Sequence, residues 1–254
     1  MEKINQFSLQ RFALLIKRYA MFNIKSWLIG FGALAGVLIV ISALQIIFSG
    51  GTYNISPLVN LGQVIIFTGG FLITSMSYNE IHTPARSQFY LTLPATAGEK
   101  LFSHWIITSV GFVLVANVLL SAVLFLTSSI SYMSLSIPVE VFNPFTQQNL
   151  TLMSIYVVVH SIFFLGALYF RKNNFLKTIL SLFVIQLVFN IFIFLMIYLV
   201  IGKEGFQQDL SMMELNLGKF ATETFPMLMK ILFYGVLAPF CLLVSYFRLK
   251  EREV

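Results

Sequence analysis

Residues 80–105 read EIHTPARSQFYLTLPATAGEKLFSHW, a polar break between two long apolar runs. Within it, Thr96 and Glu99 form a T-x-x-E capping box. The Thr96 hydroxyl can accept from the Glu99 amide while the Glu99 carboxylate reaches back to the Thr96 amide. Pro94 disfavours helix immediately before that point. The spacing therefore predicts a short helix starting near Ala97, outside the lipid and running into the next apolar segment, although Gly98 in its first turn weakens it. A helix held between two membrane spans is a handle for another protein. The alternative is a well-capped helix start and nothing more, because capping boxes are common.

The rest of the chain explains why that break stands out. Of 254 residues, 58% are hydrophobic and only 10% are charged, and the mean hydropathy is +0.87. Soluble domains carry roughly 25% charge, so lipid is the expected solvent. One span needs about 20 mostly apolar residues to cross about 30 Å of hydrocarbon. Six stretches qualify: 27–48, 58–78, 105–127, 150–170, 178–201 and 227–247. None has a charge near its centre, where one would cost roughly 3 kcal/mol. The expected fold is all-α: one polytopic membrane domain over residues 1–254, with six transmembrane helices.

Basic residues orient it. Thirteen of the sixteen Lys and Arg fall in the N-terminus, the 80–104 loop, the loop after span four and the tail; the other side holds Lys203, Lys219 and Lys230. By the positive-inside rule both termini are cytoplasmic. Trp27, Tyr78, Trp105, Tyr169 and Tyr246 sit at the predicted inner boundaries, where amphipathic rings collect. Residues 1–26 show no cleavable signal. Phe7, Phe12, Leu15 and Tyr19 recur at helical spacing, which predicts an interfacial helix on the inner surface before the chain turns in at Trp27. On the outside, 202–226 is acidic, and Leu210, Met213, Leu217 and Phe220 are spaced like a helix face that rests on the membrane or dips back into it.

Chemistry-bearing motifs are few. There is no GxxxxGK[ST], HExxH or GxSxG, and a single cysteine, Cys241, excludes an intramolecular disulfide and CxxC metal or redox motifs. No metal site and no catalytic residue is expected. The net charge of +6 does not point to nucleic acid. Polar residues inside the spans are Gln45, Gln63, Asn117, His160, Gln186 and Asn190. His160 reads as an interhelical hydrogen-bonding residue. Gln186 and Asn190 are four apart and share a helix face. Amides in lipid must find partners, so this set either lines a path or packs helices. Gly32 and Gly36 form a GxxxG that serves a dimer face or internal packing; Gly69 and Gly70 repeat the signal more weakly. With no ionisable relay in the membrane and no visible inverted repeat, the energy for any transport enters from outside the chain.

The run Phe89–Thr96, followed by Glu99-Lys100 and Ser103-His104-Trp105, resembles the "LPAS…EK…S.W" run of type-2 ABC exporter permeases. The closest similarity is to the short form found in Bacteroidetes-like bacteria. Thr96 stands where Ser is usual, which keeps the capping oxygen. The resemblance covers the whole chain in layout, with an N-terminal "elbow" over 1–26 and an extracytoplasmic segment over 202–226, but in motif only this run. It implies that 80–104 carries the coupling helix that docks on a separate ATPase, through Arg86, Leu93, Pro94, Thr96, Glu99 and Lys100. It also implies that two permeases pair as a homodimer or heterodimer, that ATP binds the partner and no cofactor binds this chain, and that the location is the bacterial inner membrane. The chain would then be no enzyme itself but a permease subunit rocked by its motor between two states. The rival reading is an integral membrane scaffold or immunity-like protein without an ATPase.

Overall fold

The computed structural model describes residues 7–48, 53–136, 138–207 and 224–253. Among the described residues 88% are helical and none is in a strand, and six helices are long and apolar enough to cross a membrane. The order is α1 (Leu9–Phe48), α2 (Ile55–Met76), α3 (Asn79–His82), α4 (Pro84–Leu91), α5 (Ala97–Ile106), a π turn (Ile107–Gly111), α6 (Phe112–Leu135), α7 (Gln147–Tyr169), α8 (Asn174–Gln207), α9 (Phe225–Ile231), a second π turn (Leu232–Leu237) and α10 (Ala238–Glu253).

Each of the six expected stretches overlaps one of the six helical segments long and apolar enough to cross a membrane. Three differences matter. First, α1 does not turn at Trp27: it is one uninterrupted helix of 40 residues, about 60 Å long at 1.5 Å per residue. Nothing between Lys17 and Trp27 is a Gly or Pro that would break it. Second, the helix that starts at the capping box is not a short separate one: α5 and α6 run on with only a π turn between them, into the third span. Third, α8 continues to Gln207, past its predicted end. The helix face predicted at Leu210, Met213, Leu217 and Phe220 lies outside the described residues.

Helices α2 and α7 form the centre. α7 packs against α2, α8, α10 and both π turns, and α2 also meets α1 and α6. Half of α7's apolar window is buried inside the chain, but none of α8's. The centre is aromatic: Phe71 stacks on Tyr156 at 5.2 Å and on Phe163 at 4.6 Å. Gly70 makes that closeness possible. A Cβ there would collide with the Tyr156 hydroxyl and come within 2.6 Å of Phe112, whereas Gly69 faces open space. Gly70→Ala is therefore expected to cost about 1–3 kcal/mol through overpacking, and Gly69→Ala to stay within about 0.5 kcal/mol of the parent. Melting curves of the two purified variants check the contrast; equal melting temperatures would refute it.

The π turn at Ile107–Gly111 has a chemical partner. A wider turn frees carbonyls from the helical ladder, and the Tyr156 hydroxyl donates to Thr108 O at 3.3 Å. The Thr108 hydroxyl donates to His104 O at 2.8 Å. It therefore accepts from His160 Nε2, at 3.0 Å. His160 is an interhelical bond, with its proton on Nε2.

Candidate functional site

Two ends of the bundle carry polar chemistry. At the end holding both described termini, α5 starts as the sequence predicts. Thr96 Oγ1 accepts from the Glu99 amide at 3.2 Å, and Glu99 Oε2 accepts from the Thr96 amide at 2.8 Å. The other carboxylate oxygen is not available to a partner protein. It accepts from the Ser8 amide at 2.6 Å and from Arg11 at 2.9 and 3.3 Å. Glu99 is 0% exposed.

Lys100 points the other way and is 1% exposed. Its ammonium donates to Leu91 O at 3.0 Å and lies 5.7 Å from the Tyr90 ring centre. It thus satisfies a last-turn carbonyl of α4, where a cation is also favoured by the helix dipole. Adjacent residues of opposite charge therefore fasten α5 to two different elements, Glu99 to the start of α1 and Lys100 to the end of α4. This corrects the expectation that Glu99 and Lys100 present charge to a docking partner. The physical reason is the cap itself: it holds Glu99 at the first turn of α5, against the start of α1 and its Arg11.

A second ion pair, Arg18 to Glu80 at 3.4 Å, ties α1 to α3. Beneath these pairs the His104 ring lies 4.1 Å from Tyr19, 4.9 Å from Tyr78 and 5.8 Å from Tyr90. The chain's last helix joins the same end. Arg252 has only donors, so His82 Nδ1 accepts from it at 3.1 Å, and His82 Nε2 donates to Ala167 O at 2.8 Å. Arg252 also donates to Leu168 O at 3.1 Å. These bonds close the final carbonyls of α7, which an α-helix cannot satisfy by itself.

What faces outward here is α4. Arg86 is exposed, Phe89 is 75% exposed, and the two are three apart on one helix face. Pro94 beyond it is exposed; Leu93 and Thr96 are half-buried. The sequence reading missed Phe89 as a surface residue. Its signal was the inward partner: Tyr90, next to it, is the residue that packs under Lys100.

At the opposite end, three amides from three helices meet. Gln63 Nε2 donates to Asn117 Oδ1 at 3.0 Å and to Asn149 Oδ1 at 2.7 Å. Asn149 Nδ2 donates to Asn117 Oδ1 at 3.1 Å and to Pro144 O at 2.6 Å. Asn117 Nδ2 returns to Val113 O at 2.9 Å. Gln63 and Asn117 were expected inside the bundle; Asn149, one residue before the predicted 150–170 span, is the third member. The residues 138–146 cover this end: the Glu140 amide donates to Ser128 Oγ, and its carboxylate accepts from the Ile55 amide at the start of α2. By contrast, Gln186 and Asn190 do not join the cluster. They sit exposed on α8, bonded only to each other by the contact of 3.3 Å between Gln186 Nε2 and Asn190 Oδ1 among the bonds described. Gln186 and Asn190 therefore do not share one site with Gln63 and Asn117 inside a single chain.

No family model, no curated protein and no solved structure matches the chain.

Proposed function

We propose that the chain is the membrane subunit of an ABC exporter in a bacterial inner membrane, moved by a separate ATPase that docks on α4. The observation that carries this reading is the exposed Arg86–Phe89 face on a short helix between two spans. That helix is locked by Lys100 to α5, and α5 by Glu99 to α1. A push on α4 is then delivered to the first and third spans as a rigid unit rather than absorbed by a loop. The excess of basic residues at this end supports a cytoplasmic location for it, where ATP is. The docking residues become Arg86, Phe89 and Pro94 with Leu93 beneath, while Thr96, Glu99 and Lys100 hold the helix behind them.

Phe89→Asp with Arg86→Glu is expected to cut copurification with a phosphate-loop ATPase encoded in a neighbouring frame by about thirtyfold or more, the equivalent of losing one interface hot spot. Melting of the purified permease should stay unchanged, because both side chains are outside the core. Full retention of the ATPase, or no phosphate-loop ATPase in the neighbouring frames, would favour the scaffold reading instead.

Two copies fit the same scheme. Gly32 and Gly36 face open space on α1, and the amide pair on α8 lies on an exposed apolar helix. Amides in lipid gain by pairing across helices. Cysteines placed at Gln186 or Asn190 in a Cys241→Ser background are expected to cross-link between copies in native membranes, and at Leu180, on the same helix but off that face, not to.

A further inference from the structure

We propose that the groove beside the amide cluster binds a nonionic amphiphile, a molecule with a hydroxylated, uncharged head and an apolar tail. The groove encloses about 800 Å³, in the range of small-molecule sites. Its walls come from α2, the start of α7 and the 141–146 strap between them. None of the described lining residues is ionisable. The nearest acidic side chain in sequence, Glu140, is turned to the Ile55 amide.

The cluster sets the polarity of the site. Both hydrogens of Gln63 Nε2 are used, on Asn117 and Asn149, and both of Asn149 Nδ2, on Asn117 and Pro144. Turning the Gln63 amide over would aim its oxygen at two other oxygens, so its orientation is fixed by the network. That leaves Gln63 Oε1, an atom with almost no accessible surface of its own on a buried residue that lines the groove, with no hydrogen-bond partner among the described residues. The donors of Gln63 and Asn149 are spent and an acceptor remains. An anionic head would meet this oxygen with another and gain nothing. A cationic head would find no ionisable side chain among the described lining residues, and the Glu140 carboxylate at the edge already accepts from the Ile55 amide. A hydroxyl supplies the missing donor without either cost. The exposed amides of Asn60, Asn143 and Gln148 at the rim offer both donors and acceptors to further hydroxyls, and Val59 and Phe142 supply an apolar wall for the tail.

The inference does not depend on transport, and its test uses no ATPase. The purified full chain in lipid nanodiscs is exposed to a photoreactive dodecyl maltoside, and to the photoreactive dodecyl sulfate and dodecyl trimethylammonium analogues. The labelled peptides are then identified. The expected result is maltoside labelling concentrated in 55–64 and 141–152, removed by excess plain dodecyl maltoside. Gln63→Leu should lower it about five- to tenfold, the loss of one buried hydrogen bond. Because Gln63→Leu also strips the cluster, the rim pair Asn60→Leu/Gln148→Leu, which touches no buried bond, is the second variant and should lower labelling as well. Equal labelling of those peptides by a charged analogue would overturn the proposal. So would labelling spread evenly over the lipid-facing helices, or labelling unmoved by both variants.

Discussion

Glu99→Lys is expected to be the most damaging single change in the chain. The native carboxylate takes hydrogen bonds from two backbone amides and the Arg11 guanidinium while wholly buried. Reversal leaves a buried ammonium facing Arg11 and removes the cap of α5. Breaking a buried pair so that a charge is stranded costs about 3–5 kcal/mol, and losing the cap adds about 1 kcal/mol. That is comparable with a large part of the stability of a typical domain. The variant should be inserted poorly or elute as aggregate on size exclusion. Glu99→Gln keeps shape and part of the cap, and should melt between the two. Arg11→Met should also fall between them, since the Ser8 and Thr96 amides still hold the carboxylate. A Glu99→Lys chain that melts like the parent would mean that this carboxylate faces solvent. The same logic bears on the docking reading: loss of ATPase binding in a Glu99 variant would report a collapsed support and not a lost contact, which is why Arg86 and Phe89 are the informative positions.

Asn117→Leu should come next. Asn117 Oδ1 accepts from both Gln63 and Asn149, so its loss deprives two buried donors at once. Hydrogen bonds between membrane helices average about 0.6 and reach about 1.7 kcal/mol, and a buried group left unpartnered costs about 1–3 kcal/mol. The sum is about 2–4 kcal/mol, read as a drop in melting temperature in detergent. The sharper expectation is non-additivity. Replacing Gln63, Asn117 and Asn149 together by Leu removes the stranded donors along with their partners, so the triple variant should melt above Asn117→Leu alone. A triple variant less stable than the single one would show that the amides act independently.

Much of this molecule was legible before any coordinates. The spans follow from apolar length, which physics fixes through the thickness of the bilayer. The start of α5 follows from Thr96 and Glu99, because a cap is a local arrangement of four consecutive residues. The interhelical role of His160 was also readable, since a lone imidazole in lipid must find a bond. Less legible was the fate of each polar side chain. Glu99 and Lys100 look like surface charges in a hydrophilic loop, and nothing local says that Arg11, far away in the chain, closes over one and the end of α4 over the other. Asn149 looks like a loop residue until α2 and α6 bring Gln63 and Asn117 to it.

The sequence by itself determined the solvent, the number of crossings and where the helices begin, because burial in lipid and backbone capping act over short stretches of chain. Only the tertiary structure decided which charges are inside, that α1 runs unbroken from Leu9 to Phe48 with its first turns clamped to α5, and that three amides converge beside a groove while two others stay on an exposed helix. Those outcomes depend on pairs of residues distant in the chain, and the burial of a polar group is set by the partner that reaches it.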